Sequence, residues 1–158
     1  GAEPSRVHDR DQMPERQAQG RINVLAGSTP LYRAMLSSDA ESMGLLLAHG
    51  ANASAAARDG STPLMIAAGM RVRGRYDNAL GPQAPERLDL VKTLLSNGAR
   101  LDPVQGRSGD TAAHYAAQAG NQRLLDYLAA MGADMNQPNE EEETPLDLIA
   151  ARLARLDP

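Results

Sequence analysis

The segment TAAHYAAQAGNQRLLDYLAAMGA, residues 111–133, contains one complete structural unit and decides the fold. It opens at Thr111, runs through an Ala-rich stretch to Gly120, and continues with a second apolar stretch that ends at Gly132. A Thr hydroxyl caps the free N–H groups at the start of a helix, and Gly supplies the left-handed residue that closes one. The segment therefore predicts two short helices joined by a turn.

The same unit recurs along the chain. GSTPL occupies residues 27–31 and again 60–64, 33 residues later, and Thr144 follows Thr111 by 33 residues. The opening Thr and the closing Gly are 21 residues apart in the first and third units, but 36 apart in the second. The second unit therefore carries an insertion of fifteen residues, at about residues 70–84. The recurring structural positions are Thr29, Pro30, Gly50, Thr62, Pro63, Gly98, Thr111, His114, Gly132, Thr144 and Pro145.

Helices this short must pack in an array. A pair of helices of about ten residues each cannot bury its apolar faces alone, so neighbouring pairs must stack. The chain has no Phe or Trp and only four Tyr, so that Ala, Leu and Met must fill the core, and this suits close-packed helices better than a β-sandwich. We therefore expect an all-α solenoid of stacked helix-turn-helix units.

The bulk composition excludes several classes of function. The net charge of −4 argues against general nucleic-acid binding. No apolar run approaches the roughly 18 residues that a membrane span needs. The absence of Cys excludes a disulfide framework and a thiol nucleophile, and it fits reducing and oxidising compartments equally. We expect a soluble protein, cytoplasmic or else periplasmic or secreted after processing.

The repeat resembles the ankyrin repeat family. The resemblance rests on the 33-residue period and on TPLMIAA, TAAHYAAQAGN, GADMN and TPLDLIA, and it covers about residues 22–157. It implies an L-shaped stack with β-hairpin-like fingers projecting from the loops between units. It also implies binding to other proteins through the fingers and the concave face of the first helices. Fifteen Arg against one Lys hint at a coding bias, and we expect a bacterial-type member.

This reading divides the chain into an arm and a repeat domain. We expect residues 1–21 to be a flexible N-terminal arm or linker, and residues 22–158 to form the ankyrin repeat domain. Its repeats lie near 29–61, 62–110 with the inserted loop 70–84, 111–143 and a short capping repeat 144–158. Either the chain is the C-terminal piece of a longer array, or the arm covers the first repeat. In the capping repeat we expect an inward apolar face and two Arg in water: Leu146, Leu148, Ile149 and Leu153 inward, Arg152 and Arg155 outward.

The insertion has two readings. A tolerated surface loop is one, because each doubling of loop length costs only about 0.6 kcal/mol. A binding loop is the other, because alternation places Arg71, Arg73 and Arg75 on one side of an extended segment. Tyr76 and Asp77 follow, and Arg and Tyr often dominate interface energies. An acidic protein surface is the natural partner for such a loop.

The resemblance also implies contact residues at the finger tips. On the matched positions these are Arg58, Asp59 and Ser61, then Arg107, Ser108 and Asp110, then Glu140, Glu141 and Glu143. The fingers thus change from mixed to acidic charge along the stack, and we expect a solvated acidic loop at NEEEET, residues 139–144.

No catalytic constellation stands out. The three His residues, His8, His49 and His114, have spacings that match no metal signature. In the family the position of His114 links the start of one helix to the start of the next. Ser108 and Asp110 lie near His114 in sequence, but nothing provides a strained nucleophile turn or an oxyanion site. We predict no catalytic residue, no metal and no cofactor.

The sequence therefore favours a non-catalytic protein-binding module. The expected partner is another protein, with an acidic patch facing the Arg-rich loop; no nucleic acid and no membrane are expected, and the chain by itself is expected to be a monomer. The alternative is a regulatory or targeting domain of a larger multidomain enzyme or effector. A third hypothesis, nucleic-acid binding through the Arg loop, predicts a steep loss of affinity with salt.

Overall fold

The computed structural model describes residues 29–72 and 84–156. This part of the chain forms seven helices and no β-strand. In chain order they are α1 (Pro30–Leu36), α2 (Ala40–Ala48), α3 (Pro63–Ala68), α4 (Glu86–Ser96), α5 (Ala112–Ala119), α6 (Gln122–Ala130) and α7 (Pro145–Leu156). The predicted N-terminal arm lies outside the described residues.

The helices stack in pairs. Helices α1 and α2, α3 and α4, and α5 and α6 pack as the three pairs. The first helices also pack side by side, α1 on α3, α3 on α5 and α5 on α7, and α4 packs on α6. The core runs along the whole stack between the two rows and is built mainly from Leu, Ile, Val, Met and Ala. The predicted all-α solenoid is confirmed.

Each first helix opens at the predicted Thr. The Thr29 hydroxyl accepts the Tyr32 N–H at 3.2 Å, and the Thr144 hydroxyl accepts the Asp147 N–H at 3.1 Å. In three of the four units, the side chain three residues after the Thr accepts the Thr N–H in return. Those acceptors are Met65 Sδ at 3.4 Å, His114 Nδ1 at 3.1 Å and Asp147 Oδ2 at 2.9 Å. Sulfur, imidazole and carboxylate thus accept the same backbone N–H at the start of the helix, which no intrahelical carbonyl can satisfy.

The same position links one unit to the next. His114 is fully buried, and its Nε2 lies 3.1 Å from the backbone carbonyl oxygen of Glu143, 29 residues later. Tyr32 occupies this register in the first unit, 29 residues before Ser61; burial raises the Tyr32 pKa, and Ser61 lowers it in part. The His114 imidazole therefore reaches from one helix start to the next, and the Tyr32 side chain stands at the same register in the first unit.

The turn between the two helices is regular in the first and third units. Asp39 lies eleven residues before Gly50, and its N–H donates to Ala34 O at 3.0 Å. Asn121 lies eleven residues before Gly132, and its N–H donates to Ala116 O at 3.1 Å. Both side chains then cap the second helix. One residue thus closes the first helix and opens the second.

The second unit reaches the same closure with a side chain. Arg87 lies eleven residues before Gly98, in the register of those two capping residues, but the insertion now precedes it. Its Nη1 donates to Ala67 O and to Ile66 O, each at 3.0 Å, and Arg87 is only 2% exposed. Ala67 O is the register equivalent of the carbonyls that accept a backbone N–H in the other units. The guanidinium therefore replaces the backbone donor that the insertion displaces.

The beginning of the insertion follows the stack closely. Met70 and Val72 are buried, and Arg71 between them is exposed. The Met70 N–H donates to Met65 O at 2.9 Å, which fixes the departure of the chain from α3. The alternation expected of an extended segment thus holds over these three residues, while residues 73–83 lie outside the described part of the chain.

The last helix departs from its predicted packing. Leu148 and Ile149 are half-buried against the core as expected, but Leu146 and Leu153 are exposed. The inward placement of Leu146 and Leu153 was therefore wrong, because α7 has no second helix on it within the described residues. Arg152 is half-buried and lies over Gly120, whereas it was expected in water. Arg155 is exposed as predicted.

Candidate functional site

Three loops project from the stack, one after each helix pair. We call residues 57–61 finger 1, residues 105–110 finger 2 and residues 139–143 finger 3. Each is closed by a backbone hydrogen bond between its ends: Ala57 N–H to Ser61 O at 2.8 Å, Gln105 N–H to Asp110 O at 2.8 Å, and Asn139 N–H to Glu143 O at 2.9 Å. The fingers are thus tight turns rather than β-strands.

Backbone hydrogen bonds join neighbouring fingers. Gly106 N–H donates to Asp59 O at 2.9 Å, which joins finger 2 to finger 1. Glu140 N–H donates to Ser108 O at 2.9 Å, which joins finger 3 to finger 2. The three turns therefore form one continuous edge.

Amide side chains reinforce both junctions. Gln105 Nε2 donates to Asp59 O at 3.2 Å, and Asn139 Nδ2 donates to Asp110 Oδ1 at 2.9 Å. Each amide oxygen also accepts backbone N–H groups within its own finger. The backbones of the fingers are consequently well defined relative to each other.

A cavity of about 820 Å³ lies between fingers 1 and 2 and the row of first helices. It brings together side chains from four separate parts of the chain. These are Tyr32 of α1, Ala57, Arg58 and Asp59 of finger 1, Met70, Arg71 and Val72 at the start of the insertion, Gln105, Gly106, Arg107, Ser108 and Asp110 of finger 2, and Tyr115 of α5. The cavity thus combines an apolar floor with a charged rim.

The rim carries three exposed guanidinium groups, those of Arg58, Arg71 and Arg107. Within residues 29–72 and 84–156 the one ion pair lies elsewhere, between Arg100 and Asp102. The three Arg residues come from finger 1, the insertion and finger 2. Their charges therefore converge on the cavity without a carboxylate partner in the described part of the chain.

The two acidic residues of the cavity are partly engaged by the fold. Asp110 is buried, and its carboxylate accepts hydrogen bonds from Asn139 Nδ2 at 2.9 Å and Gln118 Nε2 at 3.4 Å. Asp59 is exposed, and one carboxylate oxygen accepts the Ser61 N–H at 3.0 Å. Asp110 therefore acts as a structural acceptor, and Asp59 is the one exposed acid among the lining residues.

Two Tyr hydroxyls take part in the cavity. Burial raises the pKa of Tyr115, and Ser108, whose Oγ lies 3.5 Å from the phenol oxygen, lowers it in part. Burial likewise raises the pKa of Tyr32, and Ser61 lowers it in part. Both phenols are therefore neutral at neutral pH and can donate hydrogen bonds.

The structure places the predicted contact residues unevenly. Ser61 is fully buried, so its predicted role as a surface contact was wrong: the residue precedes the helix-opening Thr62 and packs inside the stack. Glu140 and Glu141 are exposed on finger 3, outside the cavity. Glu143 is half-buried and offers its backbone carbonyl to His114. The remaining predicted positions, Arg73, Arg75, Tyr76 and Asp77, lie outside the described residues.

Sequence reasoning missed the aromatic and apolar part of the cavity. The sequence predicts no binding role for Tyr32 or Tyr115, and it places Met70 and Val72 in the inserted loop. The signal for Met70 and Val72 was their alternation with Arg71, which places alternate side chains on opposite faces. No sequence signal pointed to Tyr115, because its role depends on finger 2 folding back over α5.

The arrangement does not offer a hydrolytic triad. Both nitrogens of His114 are engaged, Nδ1 with Thr111 and Nε2 with the Glu143 carbonyl. Ser108 Oγ instead lies 3.3 Å from Gln105 Oε1. His114 therefore has the structural role that the resemblance implied.

Stacked helix pairs with interlocked fingers and a concave polar cavity define a helical repeat protein. Comparison with known families makes this specific. Residues 83–157 match the family model described as ankyrin repeats (3 copies), and residues 59–104 match the one described as ankyrin repeat. The chain belongs to the ankyrin repeat family, whose members are generally protein–protein interaction modules.

Similar proteins come from animals and viruses. Ankyrin repeat and SOCS box protein 11 of Homo sapiens is 29% identical over 125 residues, 79% of this chain and 33% of that protein. Neurogenic locus notch homolog protein 1 of Mus musculus is 31% identical over 136 residues, 85% of this chain and 5% of that protein. A putative ankyrin repeat protein of Fowlpox virus (strain NVSL) is 33% identical over 100 residues, 63% of this chain and 25% of that protein.

The chain thus spans a third or less of the length of these three relatives. They are eukaryotic and viral, and a bacterial type stays a prediction. Over the described ranges, none of the helices combines the length and the apolar character that crossing a bilayer requires.

Proposed function

We propose that this chain binds another protein through the cavity between fingers 1 and 2, and that the bound element is an extended segment containing Asp or Glu. The convergence of Arg58, Arg71 and Arg107 on one cavity is the observation that carries the proposal. Guanidinium groups bind carboxylates through paired hydrogen bonds, so three of them at one rim favour an acidic ligand.

The charge balance supports the same ligand. Of the two acids in the cavity, Asp110 already accepts two side-chain hydrogen bonds. The whole protein carries a net charge of −4, so a local cluster of three Arg stands out in its field. An acidic segment is therefore attracted to the three Arg side chains of the cavity although the protein as a whole carries a negative net charge.

The neutral Tyr115 hydroxyl adds a donor inside the rim. Burial raises its pKa, so the phenol keeps its proton and can donate to a carboxylate. Tyr and Arg together are the residue types that most often dominate binding energy at interfaces. The proposed site therefore joins charge recognition at the rim to hydrogen bonding within.

The size and rigidity of the cavity favour a peptide segment. A volume of about 820 Å³ lies within the usual range for ligand pockets and exceeds the volume of one side chain. The hydrogen bonds between fingers hold its walls before any ligand arrives. Such preorganisation reduces the entropy that binding would otherwise cost.

Finger 3 gives the bound segment a direction. Glu140 and Glu141 are exposed beside finger 2, so acidic charge lies at that end of the finger row. We expect a basic residue of the ligand near finger 3 and acidic residues at the cavity. In the reversed orientation like charges would face each other, acidic residues at finger 3 and the basic residue at the Arg side chains, which disfavours that orientation.

A displayed library of random peptides provides the first test. Peptides selected by the wild-type chain should be enriched in Asp and Glu, and a labelled selected peptide then serves as the probe in fluorescence anisotropy. The double variant Arg71→Glu/Arg107→Glu should bind it about ten- to a hundredfold more weakly, since each reversal replaces an exposed attraction of up to about 1 kcal/mol with repulsion.

Arg123→Glu is the matched control, because Arg123 is exposed on α6 and does not line the cavity. It should leave the affinity within about twofold, since surface changes away from a site have small effects. Equal affinities for the double variant and the wild type would contradict the proposed site, as would selection of peptides without acidic residues.

A further inference from the structure

The exposed charges around the cavity do not cancel. Arg58, Arg71 and Arg107 contribute three positive charges at the rim, and Asp59 contributes the one exposed negative charge among the lining residues. The exposed lining therefore carries a net charge of +2 at neutral pH. One ligand carboxylate balances half of this charge. A phosphate monoester carries about −1.5 to −2 at pH 7 and balances nearly all of it.

The three Arg residues come from separate segments that meet at the cavity. The Gly106 N–H donates to Asp59 O at 2.9 Å. Arg58 and Arg107 are the chain neighbours of this bonded pair, and Arg71 lines the same cavity from the start of the insertion. Each guanidinium offers paired donors in one plane. A carboxylate has two oxygens to accept them, whereas a phosphate monoester has three and can bind more than one guanidinium at once.

The depth of the charges favours a phosphate on a short stem. The three Arg residues are exposed at the rim, whereas the floor residues Tyr32, Met70 and Val72 are at most 9% exposed. Asp110 is also buried in the lining, and its carboxylate repels a phosphate that enters further. Phosphoserine and phosphothreonine keep the phosphate close to the peptide backbone. Phosphotyrosine would carry it past the ring into this apolar and negative interior, at a high desolvation cost.

We propose that the bound segment contains a phosphorylated Ser or Thr, whose phosphate lies at the rim among Arg58, Arg71 and Arg107. This inference rests on the proposed function, since it names the acidic group that the same cavity binds. Single-stranded RNA fits the cavity less well, because its bases need exposed aromatic side chains on which to stack. Tyr32 is buried and Tyr115 is half-buried.

Labelled peptide pools test the chemistry of the bound group by fluorescence anisotropy with the full chain. Each pool has one fixed central residue, which is phosphoserine, serine, glutamate or phosphotyrosine, and its flanks are randomised over uncharged residues. The phosphoserine pool should bind about tenfold more tightly than the glutamate pool, because it adds charge and a third oxygen. The serine pool should bind more weakly than either, and the phosphotyrosine pool at least about threefold more weakly than the phosphoserine pool.

Two neutralising substitutions test where the phosphate lies. Asp59→Asn removes the exposed negative charge of the rim and keeps the oxygen that accepts the Ser61 N–H. It should tighten binding of the phosphoserine pool about two- to fivefold, because an exposed like charge is removed. Asp126→Asn removes the same charge from the exposed face of α6, outside the cavity. It should change the affinity by less than about twofold, since distant exposed charges are screened by salt.

The outcomes separate this inference from the proposed function. Equal affinities of the glutamate and phosphoserine pools would overturn the phosphate and leave the acidic ligand standing. Tighter binding of the phosphotyrosine pool, or equally tight binding of a labelled oligouridylate, would overturn it too. An effect of Asp59→Asn no larger than that of Asp126→Asn would place the phosphate away from this rim. Failure of the glutamate and phosphoserine pools alike would contradict the proposed function together with the inference.

Discussion

Replacing Arg87 with Met tests whether a side chain closes the interrupted repeat. The change removes the guanidinium but keeps an unbranched apolar stem in the same buried place. It therefore separates the hydrogen bonds from the packing of the stem. The change removes the contacts from Nη1 to Ala67 O and Ile66 O, each 3.0 Å long.

The magnitude follows from what each carbonyl retains. Ile66 O keeps the Gly69 N–H at 3.1 Å, so the main loss falls on Ala67 O. A buried carbonyl without a donor costs about 1–3 kcal/mol. The opposing effect is that burial lowers the Arg87 pKa, so removing the charge recovers part of its desolvation cost. Because the lost bonds are charge-assisted, we expect the loss to prevail and the free energy of unfolding to fall by about 1–3 kcal/mol.

Urea denaturation followed by far-UV circular dichroism measures this change. The midpoint should fall while the denaturant dependence stays constant, which would show that the native surface is preserved. Arg123→Met on α6 is the control, and we expect it to change stability by less than about 0.5 kcal/mol because Arg123 is exposed. An Arg87→Met variant as stable as the control would refute the idea that the guanidinium replaces the displaced backbone donor.

Two further predictions concern the fingers and the helix caps. Gly60→Ala should cost about 2 kcal/mol or more, because its φ is +82° and the new Cβ would lie 2.9 Å from the finger 2 backbone. Gly132→Ala is the control: it has open space around it and should cost only the roughly 1 kcal/mol of the left-handed backbone. Equal losses of stability in thermal unfolding would contradict the close packing of finger 1 on finger 2. Hydrogen bonds from Ser42 lower the pKa of Asp39, and hydrogen bonds from Thr144 lower the pKa of Asp147. The stability that these ionised carboxylates contribute is therefore present above their ordinary pKa of 3.8. It is lost as the pH falls through the lower pKa of the folded state. Asp39→Asn keeps a capping side chain without this titration, and its melting temperature should therefore fall less than that of the wild type between about pH 5 and pH 3; identical slopes would exclude a contribution from Asp39.

The fold was predictable because its determinants are local and repeated. Thr29 and its equivalents cap their helices through a hydroxyl that needs only the next turn of backbone. Gly50, Gly98 and Gly132 all have positive φ. Gly is the residue that adopts this conformation most readily, so its recurrence in the sequence predicts where the helices end. The register of the repeats then follows from the number of residues between each opening Thr and its closing Gly. The packing of α7 was not predictable in the same way, because the exposure of Leu146 and Leu153 depends on the absence of a second helix over them in the described range.

The candidate site was predictable only in part. Arg58 and Arg107 follow from their register positions at the finger tips. Arg71 was singled out from its alternation with Arg73 and Arg75. The convergence of Arg71 with the fingers was not visible, because it depends on how α3 ends and on which side the chain leaves it. A register comparison does show that Arg87 takes the place of two capping residues, but it does not show that its side chain turns back to α3.

The departure of the insertion joins stability and binding in one segment. Met70 is tied to α3 by its N–H bond to Met65 O, and Met70 and Val72 are buried against the cavity floor. Arg71, between them, is thereby held at the rim with its side chain in solvent. A loosely attached loop would carry its Arg anywhere within its reach and would lose that freedom on binding. Because the first residues of the insertion are anchored on both sides of Arg71, the backbone from which its guanidinium extends is positioned before a ligand arrives. The break in the repeat therefore places a charge where an uninterrupted repeat has only the turn between two helices.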